Sequence, residues 1–239
     1  MLLYYVRHGD PIYDPDSLTP LGHRQAEAVA HRLCAHGVSQ VFSSSSNRAM
    51  LTAKPTCEML NLQLQPVEFC HEAHAWDELT YMDEEYGQTW LFSSKPVRKL
   101  FASPEMYAYG SRWFDHPMFK DYHYEQGMAR IRRETDAFLA SLGYEHDADR
   151  NAYRIARPND DRVALFAHQG FGMAFLATVL DIPYPMVSLH FDMTHTGMTV
   201  IEFKDEGDGY AIAKALMVSN DSHIYRDGLP TRYCGEIYV

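Results

Sequence analysis

The chain has 239 residues, 46% apolar and 22% charged, with 21 basic against 32 acidic side chains for a formal charge of −11. That balance excludes a general electrostatic attraction to nucleic acid or to an anionic membrane, so an anionic ligand requires a local cluster of arginines. No run reaches membrane-spanning length, the first residues lack the regions of a signal peptide, and Cys34, Cys57, Cys70 and Cys234 show no CxxC spacing. A cytoplasmic protein with reduced thiols is therefore expected.

Leu2-Leu3-Tyr4-Tyr5-Val6 suits a buried strand, and Arg7-His8-Gly9 follows it directly. A strand ending this way delivers a cation and an imidazole to the C-terminal edge of a sheet, where open α/β sheets bind ligands. Glycine at that point lets the backbone turn and approach a ligand closely. Thr19 is placed to cap a helix with Pro20 at its first position, running to about Ala35 and closed by Gly37. Val41-Phe42 reads as a second strand, a helix follows from about Arg48 to Leu60, and Val67-Glu68-Phe69 reads as a third strand.

From Ala73 to Gln126 the chain is crowded with aromatics, among them Trp76, Trp90, Phe101, Trp113, Phe119 and Tyr124. We read this stretch as a helical, aromatic-rich cap inserted over the sheet edge of a single domain spanning 1–239. Residues 127–142 carry Met128, Ile131, Thr135, Phe138 and Leu142 at helical spacing, and Gly143 ends that helix. Glu145 to Asp161 is polar, and we read it as a solvated loop or hairpin. Val163-Ala164-Leu165-Phe166-Ala167 is the clearest buried strand and runs into His168-Gln169-Gly170 and an apolar helix through Leu180. Residues 198–203 and 211–216 read as a closing pair of strands. Strands alternating with helices predict a three-layer α/β/α sandwich with a mostly parallel central sheet.

Two strands thus end in histidine, and a helix start carries Arg48. This arrangement can set Arg7, Arg48, His8 and His168 around one anion. Arginine forks suit a phosphoryl group, and the helix after His168 is expected to add free backbone N–H groups. A neutral imidazole can attack phosphorus, and a carboxylic acid can protonate the leaving alkoxide.

Arg7-His8-Gly9, Leu18-Thr19-Pro20-Leu21-Gly22-His23-Arg24-Gln25-Ala26, Ser44 with Arg48-Ala49 and Thr52-Ala53, and Ala167-His168-Gln169-Gly170 occur in that order. In these motifs the chain resembles the histidine phosphatase superfamily, the phosphoglycerate mutase-like fold. The resemblance implies that His8 is the phosphorylated nucleophile, and that Arg7, Arg48 and His168 bind the phosphoryl group; Gln169, next to His168, is expected to add a phosphate contact. It implies a carboxylic acid shortly after the third strand as proton donor. Glu72, 24 residues beyond Arg48, fits best, with Asp77 and Glu78 next in line. Glu78 and His195, the latter just before a strand, are also expected to line the substrate pocket.

Departures from the family pattern are Pro11 where many members have threonine, Ser44-Ser45-Ser46 before Arg48, and Gln169 where a small residue or glycine often follows the second histidine. These touch the secondary phosphate contacts and no charged group. The implied activity is phosphomonoester hydrolysis through a phosphohistidine, with no metal or other cofactor. Phosphoglycerate mutase-type transfer is the alternative, disfavoured because only Asp10 to Ser17 separate the first two motifs and no Trp-Asn lies between them. A non-catalytic phosphate-binding regulatory module is a further alternative. The expected partner is a small phosphorylated substrate, and the aromatic cap points to an apolar or ring-bearing leaving group. No feature of the sequence demands a particular oligomeric state.

Overall fold

The computed structural model describes residues 1–231, so Cys234 lies outside the described residues. Strand β1 (Leu2–Arg7) is buried almost throughout and lies in the middle of the sheet. A small hairpin of β2 (Pro11–Tyr13) and β3 (Asp16–Leu18) leads to α1 (Pro20–His36). Thr19 caps α1 by accepting from the Gly22 N–H, and Gly37 closes it in the left-handed conformation. Next come β4 (Gln40–Ser44), α2 (Asn47–Leu60) with Ser46 as its N-cap, and β5 (Leu64–Val67). The third strand therefore starts and ends earlier than expected. Pro66 is tolerated there because β5 is an edge strand. Phe69, past its end, packs instead against Phe138 and Phe171.

The aromatic stretch folds as α3 (Glu72–Leu79), a hairpin of β6 (Thr80–Asp83) and β7 (Gly87–Trp90), α4 (Lys95–Phe101), α5 (Pro104–Tyr109) and two short 3-10 turns. Helix α6 (Tyr124–Ser141) then leads into the hairpin of β8 (Tyr144–Asp147) and β9 (Ala152–Ile155), which joins the main sheet. The chain continues through β10 (Arg162–Ala167), α7 (Gln169–Val179), α8 (Tyr184–His190), β11 (Met198–Asp205), β12 (Tyr210–Asn220) and α9 (Ser222–Arg226).

The eight-stranded sheet has the order β5-β4-β10-β1-β11-β12-β9-β8. From β5 to β1 the neighbours run parallel, and from β1 onward they run antiparallel. One face packs Tyr4, Val6, Ala164 and Phe166 against α1 and α2. The other packs Leu3, Tyr5, Val163 and Leu165 in one cluster with α6 and α7. Each fully buried aliphatic side chain contributes roughly 1.5–3 kcal/mol, so β1 and β10 are the energetic spine.

Phe101, Trp113, Phe119 and Tyr124 belong to that second cluster and are buried, with Trp113 stacked on Tyr124 and Tyr184 at 5.3 Å. These rings hold the inserted stretch onto the body of the protein. They are thereby withdrawn from the contact with a substrate ring that the sequence led us to expect. Among the described residues no helix is long and apolar enough to cross a membrane.

Candidate active site

Parallel register builds the site. Arg7 lies opposite Ala167, so His8 and His168 leave adjacent strand ends side by side. The His8 N–H donates to the Ala167 carbonyl at 2.9 Å, and the two rings lie 5.2 Å apart. On the other side of β10, Ser43 of β4 lies opposite Phe166. Ser44, Ser46 and Arg48 therefore reach His168 from its far side.

Backbone contact shapes the loop after β1. A Cβ on Gly9 would lie 2.7 Å from the Gly22 carbonyl oxygen, and one on Gly22 would lie 2.2 Å from that of Asp10. Neither position admits a side chain, which accounts for both glycines in the motifs. The Gly9 N–H donates to Thr52 Oγ1 at 3.0 Å, tying the loop to α2.

His8 is buried, and its Nδ1 lies 2.7 Å from the Gly9 carbonyl. A carbonyl only accepts, so Nδ1 carries the proton. Burial, then the His168, Arg7 and Arg48 charges, push the His8 pKa well below the ordinary imidazole value. The ring is neutral and its lone pair sits on Nε2.

His168 is pushed down likewise, by burial first and then by Arg48, His71 and Arg7. Arg48 Nη2 donates to its Nδ1 at 3.2 Å, so Nε2–H faces Ser44 Oγ at 2.9 Å, with Ser46 Oγ at 3.3 Å. The Tyr5 hydroxyl pins the same residue's backbone, donating to the carbonyl at 2.6 Å and accepting from the N–H at 3.2 Å. Arg7 Nη1 donates to the Met193 carbonyl, and Arg48 Nη1 meets Asp16 at 2.9 Å. The Nε atoms of both arginines are buried without a hydrogen-bond partner. Two orphaned cationic donors beside two neutral imidazoles form a setting that an oxyanion would satisfy.

Glu72 accepts from the backbone N–H groups of Gly170 at 2.9 Å and Phe171 at 3.0 Å. It thereby occupies two of the α7 N–H groups expected to be free for phosphate, which corrects that expectation. Burial raises its pKa, opposed by those two bonds and by the Arg48 and Arg7 charges. Glu78 is not brought into the site. Its carboxylate pairs with Arg130 of α6, 2.7 Å from Nη2, and it lines a cavity of about 280 Å³ with Asp77, Thr80 and Tyr122 among others, apart from His8, Arg48 and His168. Asp77 is exposed. The Gln169 side chain donates to Asp192. His195 does flank His8: its ring lies 5.8 Å from that of His8, and its Nδ1 is 3.6 Å from Asp10.

Sequence reasoning assigned no site role to Tyr5, Ser46, His71 or Asp16, and Thr52 stood only within a family motif. Ser46 was visible only as a departure from the family pattern, and Asp16 only as one acid in a short polar loop. A cavity of about 590 Å³ lies elsewhere, lined by Met1, Tyr144, Asn159 and Phe203 among others, and it contains none of these groups.

Residues 3–99, which include Arg7, His8, Arg48 and Glu72, match the family model of the histidine phosphatase superfamily (branch 1). The resemblance read from the motifs holds at that level. No curated protein matches the chain in sequence. Among solved structures, phosphoserine phosphatase from Entamoeba histolytica in complex with 3-phosphoglyceric acid is 16% identical, covers 93% of this chain and 98% of its own, and has a TM-score of 0.58. A mycobacterial glucosyl-3-phosphoglycerate phosphatase is 21% identical over 91% of this chain and 98% of its own, with a TM-score of 0.57. A protein titled mycobacterial hydrolase 2 is 19% identical over 95% and 96%, with a TM-score of 0.59. These likenesses establish the fold.

Proposed function

We propose that the protein is a phosphomonoester hydrolase acting through a phosphohistidine on His8. The observation that carries this reading is the His8–Gly9 hydrogen bond in a buried, cationic setting, which leaves a neutral ring with its Nε2 lone pair available. Nε2 attacks phosphorus, the bond to the leaving alkoxide breaks, and Glu72 supplies the alkoxide with a proton. Water then attacks the phosphohistidine, the P–N bond breaks, and Glu72 recovers a proton from the water. The raised pKa of Glu72 supports its role as acid.

Arg7, Arg48 and His168 surround the transferring group and stabilise its charge. An arriving dianion favours the protonated form of His168 and turns its Nδ1 from acceptor to donor. The scheme calls on no metal. The substrate class is a small phosphorylated molecule, in keeping with the phosphatases that share the fold. A reducing, cytoplasmic setting agrees with Cys34, Cys57 and Cys70 as free thiols.

The test is phosphate release from a panel of phosphomonoesters by wild type and His8→Ala, together with trapping of protein-bound phosphate that is stable to alkali and labile to acid. Turnover and trapping that both vanish in His8→Ala are the expected result. No turnover on any ester would shift the reading to a mutase or a phosphate-binding module.

A further inference from the structure

The tip of the β2–β3 hairpin adds nothing to the core: Ile12, Tyr13, Asp14 and Pro15 are all exposed. Yet one of its residues is fastened to the site by three hydrogen bonds. Asp16 Oδ2 accepts from the Asn47 N–H at 2.8 Å, the Asp16 carbonyl accepts from Asn47 Nδ2 at 2.7 Å, and Asp16 Oδ1 accepts from Arg48 Nη1 at 2.9 Å. Tyr13 of the same hairpin sets its ring 5.5 Å from the Arg48 guanidinium.

The guanidinium of Arg48 would otherwise be poorly held. Its side chain is long, and a second cation, Arg7, contributes to the same electrostatic setting. Asp16 supplies the opposite charge and engages Nη1, while Nη2 rests on His168 Nδ1. The edge left over is the side-on fork of Nε–H and Nη2–H, whose Nε is buried without a partner. Two parallel N–H donors in that fork match two oxygens of a phosphoryl group.

We propose that Asp16 is a positioning residue, which locks Arg48 from outside so that its Nε/Nη2 fork faces the phosphoryl group. This rests on the reading of the site as a phosphoryl site, and it adds the hairpin to the binding apparatus although Asp16 itself touches no substrate.

The experiment is a double-mutant cycle on Asp16 and Arg48, read by orthovanadate inhibition and by KM and kcat for p-nitrophenyl phosphate. Asp16→Ala is expected to raise the vanadate Ki and the KM by about 10- to 100-fold, the scale of a misplaced catalytic group. The same substitution on an Arg48→Ala background should add less than about two-fold, because the group it positions is gone. Equal losses on both backgrounds, or a lowered Tm with unchanged Ki, would overturn the proposal. Should Asp16→Ala fail to fold, Asp16→Asn carries the same test, since it keeps the shape and removes the charge. If wild type neither hydrolyses the ester nor binds vanadate, the phosphatase reading falls first and this one with it. If wild type does both, only the proposal is at stake.

Discussion

Two clusters of this molecule shield histidine side chains from solvent in opposite ways. His146 sits between Asp136 at 3.4 Å and Asp181 at 3.0 Å, with Arg132 on Asp181 at 3.1 Å. Hydrogen bonds to Asp136 and Asp181 raise its pKa to about 9. His8 and His168 instead share their surroundings with Arg7 and Arg48, and burial beside like charge keeps both neutral. The first cluster pairs opposite charges and closes on itself. The second gathers two cations of which only Arg48 meets a carboxylate, Asp16, and both arginine Nε donors are buried without a partner, a setting that the proposed phosphoryl group would complete. Charges that the fold has already matched serve stability; charges left unmatched beside a nucleophile mark a site.

The sharpest way to break this contrast is at His8, the proposed nucleophile. His8→Ala should lower turnover by about four orders of magnitude or more, while melting stays near wild type, because the ring bonds to the adjacent Gly9 carbonyl and ties down no distant element. Preserved activity in a steady-state assay would remove His8 from the mechanism. Next come the two glutamates. Glu72→Gln should slow alkyl phosphates by about 10²–10⁴-fold and p-nitrophenyl phosphate least, since that leaving group departs without a proton. Glu78→Gln should leave kcat nearly unchanged and cost about 1–3 kcal/mol in denaturant unfolding, because it weakens a partly buried pair with Arg130. A reversal of those two signatures would mean that the acid is Glu78.

The pH dependence separates the clusters again. Folding raises the His146 pKa above the unfolded value of 6.5. Its contribution, on the order of 1–3 kcal/mol, is therefore complete below that value and lost as pH rises through the folded one. His8 and His168 are shifted downward, so they drain stability only as pH falls below 6.5. Urea unfolding of His146→Gln and wild type should differ at neutral pH and converge by strongly alkaline pH. A gap that persists would show that His146 acts by packing alone. The smallest expected effect is that of excess chelator, which should leave hydrolysis unchanged; strong inhibition would return a metal to the mechanism.

Much of the site was legible because its parts are local. Thr19, Gly22 and Gly37 announce α1, and Arg7-His8 and His168 sit at the ends of runs that could only be buried strands. What escaped depends on partners far along the chain. Composition cannot say that Trp113 turns inward onto Tyr184, nor that Glu78 meets Arg130 while Glu72 meets Gly170 and Phe171. The third strand was misplaced because Val67 and Phe69 look alike in sequence, whereas only the first pairs with β4.

The seat of Glu72 on the first turn of α7 has a consequence for timing. The positive end of a helix favours an ionised carboxylate, while burial favours the neutral acid. In a turnover that begins with Glu72 protonated, loss of the proton strengthens its two bonds to the helix. The helix therefore draws the carboxylate toward its ionised form as the leaving group departs. When water later returns the proton, that grip relaxes. In the proposed mechanism each cycle is thus coupled to a tightening and loosening at the start of α7, one residue beyond His168.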